Sequence, residues 1–115
     1  MAEVKKETSD TLEALAAAEE EVITSLLEMQ IHNLEASGLD PRTYSLVKIA
    51  TLIALDAPQA SYVAQVAFAI EAGVTPDEIV NLLVTVAPQV GLPRVISAAP
   101  KMMAALGLEL EPSTT

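Results

Sequence analysis

The chain has 115 residues, 51% of them hydrophobic, and a formal net charge of −10, so we expect one small folded domain with a single core. Six basic and three aromatic residues are too few for a nucleic-acid interface, and the acidity would repel an anionic membrane. The chain has no cysteine, which excludes disulfides, thiolate nucleophiles and cysteine-based zinc sites. It opens without a signal-peptide pattern and has no unbroken apolar segment of about 20 residues, so we expect a soluble, cytoplasmic protein.

The first predicted helix follows a polar segment, residues 1–8, that we expect to be flexible. It is predicted to begin near Ser9 or Asp10, which are both good N-cap residues, and to run to about Glu35. Its apolar residues recur mostly every three or four positions and predict a buried stripe, made of Leu12, Leu15, Ala16, Ile23, Leu26, Leu27, Ile31 and Leu34. Glu19 lies near this stripe, and because the helix is long for a small domain, we expect it either to bend there or to reach a neighbouring subunit.

Two apolar helices form the predicted centre of the domain. The first spans residues 41–55, with Asp40 as its N-cap and a proline at its first position. The second spans residues 58–72 and ends at Gly73. The link between them is so short that they should form an antiparallel hairpin. Together with the abundance of Ala, Leu and Met, this pattern predicts an all-α fold.

The next helix has the strongest local start signal in the chain. Thr75 and Glu78 have the spacing of a capping box, and Pro76 stands at the first helical position. The helix is predicted to end before Pro88, because proline removes a backbone donor from a helix.

A turn at Gly91-Leu92-Pro93 leads into the last predicted helix, residues 93–106, which Pro100 should bend. The chain would then end in a polar tail, residues 108–115. We therefore expect one helical domain over residues 9–107.

Two segments, LDPRTYSLVKIATLIAL and AFAIEAGVTPDEIVNLLVTVAPQVGLP, resemble the carboxymuconolactone decarboxylase family, which includes the alkylhydroperoxidase D-like proteins. The resemblance covers roughly Leu39 to Leu106. It implies an alkylhydroperoxidase D-like fold of about five helices with a central helix hairpin. It also implies assembly into homotrimers or homohexamers, with helices packed across subunits.

The resemblance further implies where the catalytic residues of the redox branch, a C-x-x-C-x-x-x-H run, would lie. Counted back from Gly73, the three positions hold Pro58, Ser61 and Gln65. Counted forward from Asp40, they hold Ala57, Ala60 and Ala64. With no thiol in either register, a thiol peroxidase is not expected.

The family's upstream glutamate corresponds to about Ser45, and the histidine that the decarboxylase branch keeps corresponds to Gln65. A glutamine amide can hold a substrate oxygen, but it does not titrate near neutral pH. The resemblance thus implies a non-redox protein with an inter-subunit pocket for a small organic acid or lactone. Decarboxylase or other lyase chemistry is one interpretation, and a catalytically inactive oligomeric ligand-binding or scaffold protein is the alternative.

Three polar side chains, Ser61, Tyr62 and Gln65, have the spacing that places neighbours on one helix surface. The resemblance puts them at the border of the family's pocket, where they would orient a small ligand. In the alternative interpretation, Gln65 bonds to backbone across a subunit contact and Tyr62 is an ordinary core residue.

His32 is the single histidine of the chain and lies off the predicted buried stripe, between Glu28 and Glu35. It is either part of a solvated carboxylate–imidazolium pair or a general acid–base presented to the pocket of a neighbouring subunit. One histidine cannot build a metal site alone, and the methionines have no partner ligands nearby. We therefore predict neither a metal nor a cofactor.

Two cations are further ligand-binding candidates. Lys48 shares a helix face with Tyr44 and Thr51, and it is either a base of lowered pKa or a side chain whose ammonium reaches water. Arg94 stands in the first turn of the last helix, where it could bind a carboxylate or pair with a surface acid. Arg42 belongs to the family's helix-start pattern and is interpreted as structural.

Overall fold

The computed structural model describes residues 3–17 and 20–108, and within these ranges the chain contains helices and turns but no strand. The described residues form six helices: α1 Lys6–Ala17, α2 Glu20–Ser37, α3 Pro41–Leu55, α4 Gln59–Glu71, α5 Pro76–Val90 and α6 Leu92–Ala105. The all-α prediction is confirmed. The chain divides into two compact units on either side of the Gly38–Leu39 bond. None of the described helices combines the length and hydropathy that a membrane span requires.

The first unit contains α1 and α2, which lie on either side of the undescribed residues 18–19, within the range where one helix was predicted. α1 begins at Lys6, so the predicted start at Ser9 or Asp10 is wrong. The predicted interruption at Glu19 lies outside the described residues, as does nearly all of the predicted C-terminal tail. α2 ends at Ser37, and Gly38 follows with a φ of 71°.

The predicted buried stripe of this unit is only partly described. Leu12 is 62% exposed and Ile31 53% exposed, while Leu34 is half-buried. The side chains of four other members lie outside the described residues, namely Leu15, Ile23, Leu26 and Leu27. The predicted burial is therefore wrong for Leu12, Ala16 and Ile31, because burial requires a second element that covers the apolar face and not only the spacing that creates it.

The start of α3 follows from a local cap. The Asp40 carboxylate accepts hydrogen bonds from the Thr43 backbone N–H at 2.8 Å and from the Thr43 hydroxyl at 2.9 Å. These bonds, the backbone one first, lower the pKa of the Asp40 carboxyl. The predicted bounds of α3 are confirmed, and α4 is one residue shorter at each end than predicted.

The predicted capping box at the start of α5 is present. The Thr75 hydroxyl accepts from the Glu78 backbone N–H at 3.1 Å, and the Glu78 carboxylate accepts from the Thr75 N–H at 3.0 Å. The same carboxylate pairs with the Arg42 guanidinium in the first turn of α3. This ion pair joins the starts of α3 and α5, which agrees with a structural role for Arg42.

The predicted end of α5 before Pro88 is wrong, since the helix continues to Val90. Pro88 stands in the last turn, so its missing N–H removes a single helical hydrogen bond there. The last helical turn around Pro88 is still hydrogen-bonded, because the Gly91 N–H donates to the Ala87 carbonyl at 3.0 Å. α6 then begins at Leu92, one residue earlier than predicted.

The core lies between the four helices of the second unit. α3 contacts α4, α5 and α6, and α6 also contacts α4 and α5. The buried cluster consists of Ile49, Ile53, Ala57, Tyr62, Val66, Ala69, Val74, Ile79, Ala98 and Met102. On α3, Val47 is 52% exposed and Leu55 70% exposed, so within one chain this helix is not covered on every side.

Candidate functional site

The candidate site lies on the first two turns of α4. Pro58 is the N-cap in an extended conformation, and the Ser61 backbone N–H donates to the Pro58 carbonyl at 3.1 Å. Ser61 and Gln65, four residues apart, are both half-buried. Tyr62 is 0% exposed and belongs to the core cluster. The start of α4 therefore turns the Tyr62 hydroxyl inward, and the amide oxygen of the half-buried Gln65 is buried as well.

The hydroxyl of Tyr62 is buried and has no hydrogen-bond partner among the residues that the structure describes. Burial first, and then the negative charge of Asp56, raise the pKa of this phenol above its ordinary value of 10.0. The group therefore stays neutral and able to donate a hydrogen bond at physiological pH. The ring packs as an ordinary core residue, but the hydroxyl is a buried donor for which the described part of the chain provides no acceptor.

A polar cluster that sequence reasoning missed lies where the α3–α4 turn meets α6, and we call it the Asp56 cluster. The carboxylate oxygen Oδ1 of Asp56 accepts a hydrogen bond from the Ser97 hydroxyl at 2.5 Å and another from the Lys101 ammonium at 3.1 Å. Lys101 also donates to the Ala57 carbonyl at 2.9 Å. The pKa of the Asp56 carboxyl is lowered first by the hydrogen bond from Ser97, then by Lys101, and last by the charge of Arg94.

Asp56→Asn is expected to flatten the dependence of stability on pH in the acid range. Because the pKa of Asp56 is lowered in the folded chain, its carboxylate stabilises the fold at pH values above 3.8, the ordinary pKa of this group. That contribution is lost as the pH falls through the lowered value. Asparagine tolerates the left-handed backbone at this position, where φ is 53°.

Urea unfolding of both proteins between about pH 6 and pH 2 checks this expectation. The difference in unfolding free energy between wild type and Asp56→Asn should shrink as the pH falls. Ser97→Ala, which removes the first hydrogen-bond donor to Asp56, should give a smaller pH dependence than the wild type. A constant difference across this range would show that the Asp56 cluster does not hold the carboxylate in its charged form.

Lys48 stands over the aromatic ring of Tyr44. Its Nζ lies 5.4 Å from the ring centroid, and the Tyr44 ring in turn meets Phe68 edge-on, with 6.4 Å between centroids. Tyr44 is 4% exposed and Lys48 half-buried. This cation–π contact supports the interpretation in which the Lys48 stem packs along the fold.

The other predicted site residues are more dispersed. Arg94 is exposed in the first turn of α6, on the side of the Asp56 cluster. Ser45, at the position of the family's glutamate, is 0% exposed, and its hydroxyl donates to the Pro41 carbonyl at 2.7 Å. Among the side chains that the structure describes, no group of three acidic residues or histidines could hold a metal ion.

His32 is exposed on α2, in the first unit. In the described part of the chain it forms no salt bridge with Glu28 or Glu35. The predicted carboxylate–imidazolium pair is therefore not formed.

Comparison with protein families agrees with the helical fold and with the helix-start patterns. The model of the carboxymuconolactone decarboxylase family matches residues 20–105. Since this match covers most of the 115 residues, the chain belongs to the carboxymuconolactone decarboxylase family. Neither the curated proteins nor the solved structures gave a significant match. The matched region includes α2 as well as the four helices of the second unit.

Proposed function

We propose that this protein is a non-redox member of its family that binds a small organic acid or lactone at the start of α4. In this proposal Tyr62 donates a hydrogen bond to the ligand, Gln65 and Ser61 orient it, and a neighbouring subunit completes the pocket. The observation that carries the proposal is the fully buried Tyr62 hydroxyl, which has no partner among the described residues.

The energetic argument concerns this hydroxyl. A buried donor that lacks an acceptor destabilises a protein by about 1–3 kcal/mol. An acceptor on a bound molecule removes that penalty, and both acids and lactones carry a suitable carbonyl oxygen. Because the pKa of Tyr62 is raised, its proton is retained over the whole physiological range. The hydroxyl itself has no solvent exposure, so a ligand would have to displace neighbouring side chains to reach it.

Turnover by decarboxylation or another lyase reaction would need a group that carries a proton near neutral pH. His32 is the single imidazole of the chain and is exposed on α2. In the enzymatic form of the proposal, His32 of one copy supplies this proton to the pocket of another copy. Thiol-dependent peroxidase chemistry is not proposed, because the chain has no cysteine.

A second candidate function is ligand binding without turnover, by a protein that has lost its catalytic residues. It is favoured by the side chains that occupy the catalytic positions of the family, Pro58, Ser61 and Gln65 in the register counted back from Gly73. None of these groups exchanges protons near neutral pH.

Self-assembly into a homotrimer or homohexamer is part of the proposal. The exposed face of α4 carries apolar side chains at helical spacing, followed by one carboxylate, Glu71, at the end of the helix; the apolar members are Ala60, Val63, Ala64, Ala67 and Ile70. Val63 is 50% exposed and Ile70 47% exposed, and a second copy would cover such a face. Sedimentation equilibrium should give three or six times the mass of one chain, and the mass of a single chain would contradict this part.

Tyr62→Phe tests the binding site, because it removes the hydroxyl and keeps the ring. We expect at least one compound from a panel of small lactones and carboxylic acids to raise the melting temperature of the wild type but not of this variant. Tyr44→Phe, which changes the other tyrosine of the chain, is the matched control and should respond like the wild type. Equal stabilisation of all three proteins, or of none, would contradict the proposed site.

His32→Ala then separates the two candidate functions. If the bound compound is converted by the wild type and not by His32→Ala, the protein is an enzyme with His32 as its proton carrier. Binding without conversion, equal in both proteins, identifies a binding protein.

A further inference from the structure

We propose that Lys101 is a positioning residue for the start of α4: it holds this end of the helix against α6 and thereby controls access to the buried Tyr62 hydroxyl. The inference rests on the proposed function, in which a ligand has to reach that hydroxyl. Its physical basis is the way in which the start of α4 is attached to the rest of the second unit.

The start of α4 has no local side-chain cap. Its N-cap, Pro58, forms no side-chain hydrogen bond to the helix, whereas Asp40 caps α3 and Thr75 caps α5. The first backbone N–H groups of a helix have no partner within the helix, and a missing cap lowers the stability of that end. The start of α4 therefore depends on contacts from other elements for its position.

Lys101 provides such a contact from the third turn of α6. Its ammonium donates to the Ala57 carbonyl at 2.9 Å and to the Asp56 Oδ1 at 3.1 Å. These two acceptors are the residues between the end of α3 and the N-cap of α4. The Lys101 side chain is 25% exposed, so water competes with the two bonds only in part. One ammonium thus fixes the whole α3–α4 turn to α6.

The turn depends on these bonds, and α4 is the element that their loss would free. Asp56 has a φ of 53° and is the one non-glycine residue with a positive φ in the described part of the chain. A left-handed backbone costs energy in most residues and persists where surrounding bonds compensate it. The N–H groups of Asp56 and Ala57 bond to carbonyls in the last turn of α3, so the turn stays attached to α3 without Lys101.

The Tyr62 hydroxyl lies behind this attachment. Tyr62 is the fourth residue of α4, is 0% exposed, and shares the core cluster with Ala98 and Met102 of α6. Burial first, and then the charge of Asp56, raise the pKa of Tyr62, so the phenol is close enough to the turn to sense that carboxylate. Separation of the start of α4 from α6 would therefore uncover the hydroxyl.

Nitration by tetranitromethane measures the exposure of the two tyrosines without any ligand. The chain has no cysteine, so no thiol competes for the reagent. Lys101→Met keeps the apolar stem and removes the ammonium, and we expect it to accelerate nitration of Tyr62 about 3- to 10-fold, the range of one hydrogen bond from a partly exposed charged group. Nitration of Tyr44, which is 4% exposed on α3, should keep its wild-type rate.

Amide hydrogen exchange locates the opening within α4. In Lys101→Met the Ser61 amide, in the first turn, should exchange faster by the same factor as Tyr62 is nitrated. The Ala72 amide, bonded at the other end of the helix, should keep its rate. Circular dichroism confirms that the variant is folded, and Lys101→Gln, which also lacks the charge, replaces it if it is not.

Arg42→Met is the matched control. It breaks the Arg42–Glu78 salt bridge, which joins α3 to α5 at a distance in sequence from the α3–α4 turn. Because this ion pair does not contact the start of α4, nitration of Tyr62 and exchange of the Ser61 amide should both keep their wild-type rates.

The outcomes separate the inference from the proposed function. Unchanged nitration of Tyr62 in Lys101→Met, or equal acceleration at both tyrosines and both amides, would overturn the inference. Neither result bears on the proposed ligand site, which Tyr62→Phe tests with the compound panel. If Lys101→Met behaves as expected but no compound stabilises the wild type, the proposed function is wrong and the closure by Lys101 stands.

Discussion

Ile53→Ala is expected to lower the free energy of unfolding by about 2–5 kcal/mol. Ile53 is 0% exposed and lies on α3, which contacts the three other helices of its unit. The cavity left by the truncated side chain would be enclosed by these helices and could collapse only in part. Chemical denaturation measures the loss directly, and each kcal/mol should lower the melting temperature by roughly 4–8 °C in a unit of this size.

Val47→Ala is the matched control on the same helix. Val47 is 52% exposed, so its truncation should change the free energy of unfolding by less than about 0.5 kcal/mol. Similar losses for both variants would mean that Ile53 is not enclosed by the core while Val47 is exposed.

Gly91→Ala is expected to destabilise the fold by about 1–3 kcal/mol. Gly91 joins α5 to α6 with φ 88° and ψ 154°, a backbone conformation that is essentially restricted to glycine. A Cβ built there would meet only the Cδ of Pro93, at 3.8 Å, which is an ordinary contact. The penalty therefore comes from the backbone conformation and not from a clash, and urea unfolding measures it.

Gly107 offers a matched control with a different positive-φ conformation. It ends α6 in a left-handed turn, with φ 72° and with the Leu108 N–H bonded to the Met103 carbonyl at 2.9 Å. Because asparagine tolerates the left-handed conformation, Gly107→Asn should be mild, whereas Gly91→Asn should remain destabilising. Equal effects of the two asparagine variants would contradict this explanation.

The features of the fold that could be predicted from the sequence are those that short segments determine. The cap of α3 involves residues three apart, and so does the capping box of α5. Both signals work because the hydrogen-bonding partners are fixed by the first helical turn itself. The predicted end of α5 before Pro88 was wrong because a proline disfavours the helix only locally. It does not determine whether the helix continues to the next residues, as α5 does to Val90.

The candidate site was predicted only in its position on the chain. Spacing and resemblance placed Tyr62 at the start of α4, but whether its hydroxyl finds an acceptor depends on helices packed from elsewhere in the sequence. The Asp56 cluster joins residues 41 and 45 positions apart, so no local pattern reveals it. Its only sequence signal was the four-residue spacing of Ser97 and Lys101, which many surface helices share.

The most direct test of the central claim is a carbon NMR titration of the protein with ¹³C-labelled tyrosine and γ-butyrolactone. The chain has two tyrosines, so the signal that is lost in Tyr62→Phe assigns both. We predict a saturable shift of the Tyr62 ring-carbon signal next to the hydroxyl, with the Tyr44 signal unmoved. An unchanged Tyr62 signal at saturating lactone, or equal shifts of both tyrosines, would contradict a ligand site at the buried hydroxyl.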